Sequence, residues 1–250
     1  HPVAHSFPTR RSSDLLTAHL IKNVVEMDFF RQLSGRRVFT ELRLIFEEEN
    51  PAPAIQRLDD YGLLEIIHPD IVPDKKRKDL FLSVKKVLAW HDLLFLEEPY
   101  IRWAVYFTAL VDGCSRESAE AVCEKLQLAP RHRVIFTREA FEAMDALFRI
   151  QRHMDMDNSE LYRLLSPFKT EMILFMMAAA RGERVKKAIA FYFTQLRTVT
   201  PSVTGMDLKK MGLEPGPRFR EILDAVRDAR LNGLVKTRDD ELNFVRNYVS

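Results

Sequence analysis

Two stretches of the chain carry positive charge dense enough to grip phosphate. Lys75, Lys76, Arg77, Lys78, Lys85 and Lys86 face only Asp74 and Asp79 as local counter-charges. Arg181, Arg184, Lys186, Lys187 and Arg197 face only Glu183. The C-terminal region adds Lys209, Lys210, Arg218 and Arg220. There, Gly205 and Gly216 precede predicted helices, whose first N–H groups can donate to an anion. Charge runs of this kind also occur on plainly solvated helix faces. Arg37 and Glu41, four positions apart, form at minimum a surface pair worth about 0.3–0.5 kcal/mol. Asp155-Met156-Asp157 falls between two predicted helices and reads as exposed loop and helix cap. Trp103, Tyr106 and Phe107, and Phe191, Tyr192 and Phe193, could stack on bases, but their helical spacing favours core positions.

These residues need elements to position them. The chain has 250 residues, 38 Lys+Arg, 36 Asp+Glu, 46% hydrophobic and 30% charged residues. That composition excludes a disordered chain. The eight glycines are too few for a turn-rich sandwich or barrel. A formal net charge of +2 predicts no partner, so any basic surface must arise by clustering. The longest apolar stretch, Met172–Ala180, is about half a membrane span. The first twenty residues lack the apolar core of a secretory signal. Cys114 and Cys123 lie too far apart along a helix for a disulfide, so free thiols and a reducing cytoplasm are expected.

Apolar periodicity predicts helices over 16–33, 37–49, 51–61, 75–96, 100–110, 115–126, 131–151, 158–165, 169–180, 185–197, 218–232 and from 238, a further short helix from Asp207, and a short apolar turn at 63–67. Asn50-Pro51, Ser115, Ser166-Pro167 and Thr237 read as helix starts, and Gly62, Gly113 and Gly182 as stops. No segment reads as a strand. The expected fold is all-α, an elongated superhelical array of short helices.

Leu33-Ser34-Gly35-Arg36-Arg37-Val38-Phe39-Thr40-Glu41-Leu42 continues through Phe46, Asn50-Pro51 and Gly62-Leu63-Leu64 to His68-Pro69. This resembles the neck of bacterial tRNA nucleotidyltransferases of the second class, the CCA-adding and poly(A)-polymerase-like enzymes, in which an Arg-(Ile/Val)-x-x-Glu motif closes the neck. Val203-Thr204-Gly205-Met206-Asp207-Leu208, Gly212, Pro215-Gly216-Pro217, Gly233 and Thr237-Arg238 are similar to that family's tail. The resemblance covers Leu16 to about Asn247. It implies a neck over 16–72, a body over 73–200 and a tail over 201–250. It further implies that Arg37 and Glu41 brace the neck, and that the basic stretches hold the acceptor stem and elbow of tRNA through phosphate and 2′-OH.

The family's chemistry resides in a head with a Gly-Ser pair and a metal-holding Asp-x-Asp pair, and neither accompanies Asp155-Met156-Asp157. The resemblance therefore implies Mg²⁺ with ATP or CTP for the parent enzyme, no cofactor for this chain, and no nucleotide transfer by this chain alone. Residues 6–15, SFPTRRSSDL, resemble a translated sequencing adapter, so residues 1–15 read as a non-native or disordered leader. Two alternatives stand beside this reading. One is a helical protein-interaction scaffold. The other is a metal phosphohydrolase of the HD type, whose ligand order His68, His91-Asp92 and Asp112 mimic. The His-Pro turn at His68 and the helix around His91 argue against the second.

Overall fold

The computed structural model describes residues 33–249 except 73, 97 and 154, and among these residues there are helices and turns but no strand. The leader over 1–15 and, apart from Leu33, the helix expected over 16–33 lie outside the described residues. The chain divides into two compact units, one running to Phe141 and the other from Glu142.

The first unit holds α1 (Gly35–Glu47), α2 (Ala52–Asp60), α3 (Leu63–Ile67), α4 (Lys75–Asp92), α5 (Arg102–Val111), α6 (Arg116–Lys125) and α7 (Pro130–Val134). A π-helical turn, Ile135–Glu139, joins α7 to α8 (Ala140–Arg152). Ser34-Gly35 does more than punctuate the sequence. The Ser34 hydroxyl accepts the Arg37 N–H and caps α1. Gly35 sits against the C-terminal end of α6, where an added Cβ would lie 2.7 Å from the Lys125 carbonyl carbon. Glycine is the residue that permits this approach.

α5 is the centre of this unit, every residue from Trp103 to Val111 being buried. α1 and α4 pack against it, and Phe46, Phe81, Tyr106, Phe107 and Phe136 form a continuous aromatic core. Phe107 and Phe136 have ring centroids 4.5 Å apart. The stripe Trp103, Tyr106 and Phe107 is therefore core, as its spacing predicts. α4 ends at Asp92, short of the expected 96. A turn follows, in which Phe95 adopts φ 49°.

The second unit holds α9 (Asn158–Leu165), α10 (Thr170–Ala179), α11 (Glu183–Phe191), a π-helical turn (Tyr192–Leu196), α12 (Gly205–Lys210), α13 (Pro217–Leu231) and α14 (Arg238–Val249). α10 is apolar on every face, and Met172 through Ala178 are all buried. That central position explains the apolar stretch seen in the sequence. Among the described residues no helix is long and apolar enough to cross a membrane.

Ser166-Pro167 does not open α10. Ser166 keeps helical dihedrals and its N–H bonds Tyr162 O at 2.8 Å, so it closes α9, and Lys169 stands at the start of α10. Two bonds tie the start of α9 to the end of α13. Asn158 Nδ2 donates to Leu231 O at 2.9 Å, and Ser159 N–H to Asn232 Oδ1 at 2.9 Å. Val203, Leu208, Ile222, Val226 and Val245 form a buried cluster joining α12, α13 and α14.

Candidate nucleic-acid interface

The C-terminal motifs, distant in sequence, meet in the second unit. Asp207 Oδ2 accepts the Thr204 N–H and the Thr204 hydroxyl, both at 2.9 Å. Its Oδ1 takes the Arg238 guanidinium at 2.6 Å, and Arg238 also donates to Ser202 O at 3.0 Å. Asp207 thus joins the Thr-Gly-x-Asp-Leu segment to the Thr-Arg segment. Two Thr204 bonds, with Arg238 adding to them, hold its carboxyl below the usual carboxylate range.

Glu241 lies beneath this joint with no exposed surface. It accepts the Ser202 and Val203 N–H groups, each at 2.8 Å, and pairs with Arg230. At the start of α14, Asp240 accepts the Thr237 and Lys236 N–H groups at 2.9 and 3.1 Å, while Thr237 Oγ1 accepts the Asp240 N–H at 3.2 Å. This reciprocal capping box lowers the Asp240 pKa and fixes the entry to α14. Met206 and Leu234, 70% and 74% exposed, project from the two linked segments.

The basic residues separate by helical geometry. At about 100° per residue, Lys75, Lys78, Lys85 and Lys86 fall on one stripe of α4, opposite its buried side. Lys75, Lys78 and Lys86 are exposed and Lys85 half-buried. Lys76 is exposed and pairs with Asp112 at 3.3 Å. Arg77 departs from the expectation of an RNA contact. It turns to the buried side, where its guanidinium donates to Val72 O and, at 2.8 Å, to Asp112 O, so its charge fastens a loop.

Arg184 and Lys187 are exposed on α11, whereas Lys186 is half-buried and pairs with Glu183 at 3.5 Å. Lys209, Lys210, Arg218 and Arg220 are exposed. Gly205 also departs from the expectation. It begins a six-residue helix whose N-terminus already carries the Asp207 carboxylate, which would repel a phosphate. Gly216 is exposed before α13 with no side chain near its Cβ position.

Arg37 and Glu41 are exposed on α1. Glu41 stands beside an apolar groove of about 120 Å³ lined also by Val38, Leu42, Leu58 and Ile66. Asp157 caps α9 by accepting the Glu160 N–H at 2.8 Å and the Ser159 hydroxyl at 2.8 Å, which lowers its pKa, as the loop-and-cap reading expects.

The HD ligand order does not assemble. His91 is buried with its ring edge-on to Tyr100, and Asp92 accepts the Tyr100 hydroxyl at 2.7 Å and the Arg102 guanidinium at 2.9 Å. Among the described residues no three His, Cys, Asp or Glu side chains converge to hold a metal. Cys114 and Cys123 are buried free thiols, and burial pushes Cys123 up to about 12.

One feature was not legible as a site in the sequence. Arg149 on the last turn of α8, His153 just past its end, Met156 in the following loop, and Glu160, Arg163 and Leu164 on α9 line a cleft of about 460 Å³. Its residues come from two helices and the loop between them, and only the four-residue spacing of Glu160 with Leu164 hints at a shared face.

Residues 17–74 match the family described as "Probable RNA and SrmB- binding site of polymerase A". An A-adding tRNA nucleotidyltransferase of Geobacter sulfurreducens is 40% identical over 234 residues, covering 91% of this chain and 26% of the relative. That of Aquifex aeolicus is 27% identical, covering 82% of this chain and 25% of the relative. The chain thus spans about a quarter of these two curated relatives. A solved Thermotoga maritima CCA-adding enzyme complexed with tRNA superposes with a TM-score of 0.75 at 20% identity, over 94% of this chain and 56% of that one. The same helical fold is therefore present in both.

Proposed function

We propose that this chain, which belongs to the class II tRNA nucleotidyltransferase and poly(A) polymerase family, is the RNA-holding region of an enzyme that adds A to the tRNA 3′ end. Neck (16–72), body (73–200) and tail (201–250) would hold the acceptor stem and elbow and place the terminus before a catalytic head. Positioning of this kind converts an intermolecular attack into a nearly intramolecular one. The observation that carries the reading is the 40% identity over 91% of the chain, to a relative named for A addition. It is supported by the Asp207–Arg238 joint, which gives the two tail motifs a shared structural reason to occur together.

Recognition would be of shape. Exposed lysines and arginines meet phosphates and 2′-hydroxyls, as expected for paired RNA whose deep groove side chains cannot read. The parent would use Mg²⁺ with ATP, and with CTP if it also adds C. The described residues offer no carboxylate set that fits a metal, so no catalytic step is assigned to them. A cytoplasmic setting accords with two buried, protonated thiols.

A gel-shift and labelling experiment tests the proposal. The chain should retard a tRNA transcript at low salt, lose it as salt rises, and incorporate no label from ATP. An unshifted tRNA would favour a protein-interaction scaffold. Incorporated label would place catalysis within the chain.

A further inference from the structure

The cleft between the end of α8 and α9 has a composition that the basic stretches lack. Its rim carries Arg149, His153 and Arg163, while Met156 and Leu164 give it an apolar lining. A volume of about 460 Å³ lies within the roughly 300–1,000 Å³ of small-ligand sites. Arg163 is held in place by Asp228 at 3.1 Å and by the Ser159 hydroxyl at 3.3 Å. The one lining carboxylate, Glu160, already accepts the Asp157 N–H at 3.2 Å. Its further lone pairs can accept from a ribose hydroxyl. On the helix that carries Arg149, Arg152 lies 4.5 Å over the half-exposed Phe148 ring. The occupant that matches a cationic rim, an apolar floor and a hydroxyl acceptor is a nucleotide.

We infer that this cleft receives one unpaired nucleotide of the bound RNA. Its base lies against Met156 and Leu164, where a thioether and an aromatic ring attract each other. Its flanking phosphate meets Arg149 and His153 in charge-assisted contacts. A paired nucleotide, locked in a helix, could not enter. The inference rests on the RNA-holding reading above and adds to it a preference for an unpaired position within a duplex.

The test is a fluorescence-anisotropy titration of the whole chain with three RNAs: a tRNA transcript, a fully paired hairpin, and the same hairpin carrying one bulged nucleotide. Wild-type chain should bind the bulged hairpin about fivefold or more tightly than the paired one, as expected from burying one base against a thioether and an aliphatic side chain. The Arg149→Ala/His153→Ala variant should lose that preference while still binding the paired hairpin. Both side chains are exposed, so helical circular dichroism should be unchanged. A second variant, Leu164→Ala, keeps the rim charge and should also reduce the preference. Equal binding of bulged and paired hairpins by wild type, with tRNA still bound, would overturn the cleft and leave the RNA-holding reading standing. A preference retained in both variants would likewise overturn it. Failure to bind any of the three RNAs would overturn the broader reading and the cleft with it.

Discussion

Gly35 and Gly62 are both glycines near a helix start, yet different physics requires each. Gly62 needs φ +68°, which an L side chain resists, but open space surrounds its Cβ position. Gly62→Ala should therefore cost about 1 kcal/mol. Gly35 needs room, because the added Cβ would strike the Lys125 backbone. Gly35→Ala should cost more, up to about 3 kcal/mol, since a backbone must shift. Both tryptophans, Trp90 and Trp103, lie in the first unit, so their fluorescence in urea reads this difference directly. In the second unit, Glu241→Gln leaves Arg230 facing a neutral amide and weakens two N–H bonds. A loss of about 2–4 kcal/mol is expected, seen as faster hydrogen exchange at 202–249. The tail carboxylates also set an acid limit. Asp207 and Asp240 are held below their unfolded value of about 3.9. Between the two values the unfolded chain binds more protons, so stability rises with pH there. Their contribution is complete above the unfolded value and is lost as pH falls through the lower folded values. An acid titration followed by circular dichroism should show Asp207→Asn and Asp240→Asn with flatter profiles than wild type over that window.

At the scale of elements, the aromatic core of the first unit is dominated by α5. Phe107→Ala removes a fully buried ring in contact with Phe39, Phe46, Trp103 and Phe136, and should cost about 3–5 kcal/mol by urea unfolding. Most of these helices were legible because apolar period and capping residues agree. Ser115 and the Asn158–Leu165 stripe are examples, each observed where the spacing places it. Ser166-Pro167 misleads because a serine followed by proline serves a helix stop as well as a start, and only the Ser166 N–H bond to Tyr162 decides between them. The π-helical turns at Ile135–Glu139 and Tyr192–Leu196 leave no composition signal, so they read as ordinary helix. Local charge likewise hid the orientation of Arg77. Six basic residues in one stretch look equivalent until the buried face of α4, set by Leu80, Val84 and Leu88, takes Arg77 inward. Consequently Arg77→Ala should destabilise the first unit, while Lys75→Glu/Lys78→Glu should leave its unfolding midpoint nearly unchanged and weaken RNA binding. The cleft at Arg149 was invisible for a further reason: it exists only once two helices and a loop are brought together.

For the whole molecule, a net charge of +2 conceals local concentrations, and it is these that would meet a polyanion. The central claim is that the chain holds tRNA chiefly through phosphate contacts. The most direct measurement is the affinity for a tRNA transcript by anisotropy across about 50–200 mM salt. On a log–log plot each phosphate contact contributes a slope of about −0.9 for duplex nucleic acid. Wild-type chain should give a steep linear fall, and the triple variant Lys75→Glu/Lys76→Glu/Lys78→Glu should bind more weakly with a slope shallower by about two or more. Binding that ignores salt, or a slope that the triple variant leaves unchanged, would contradict the account.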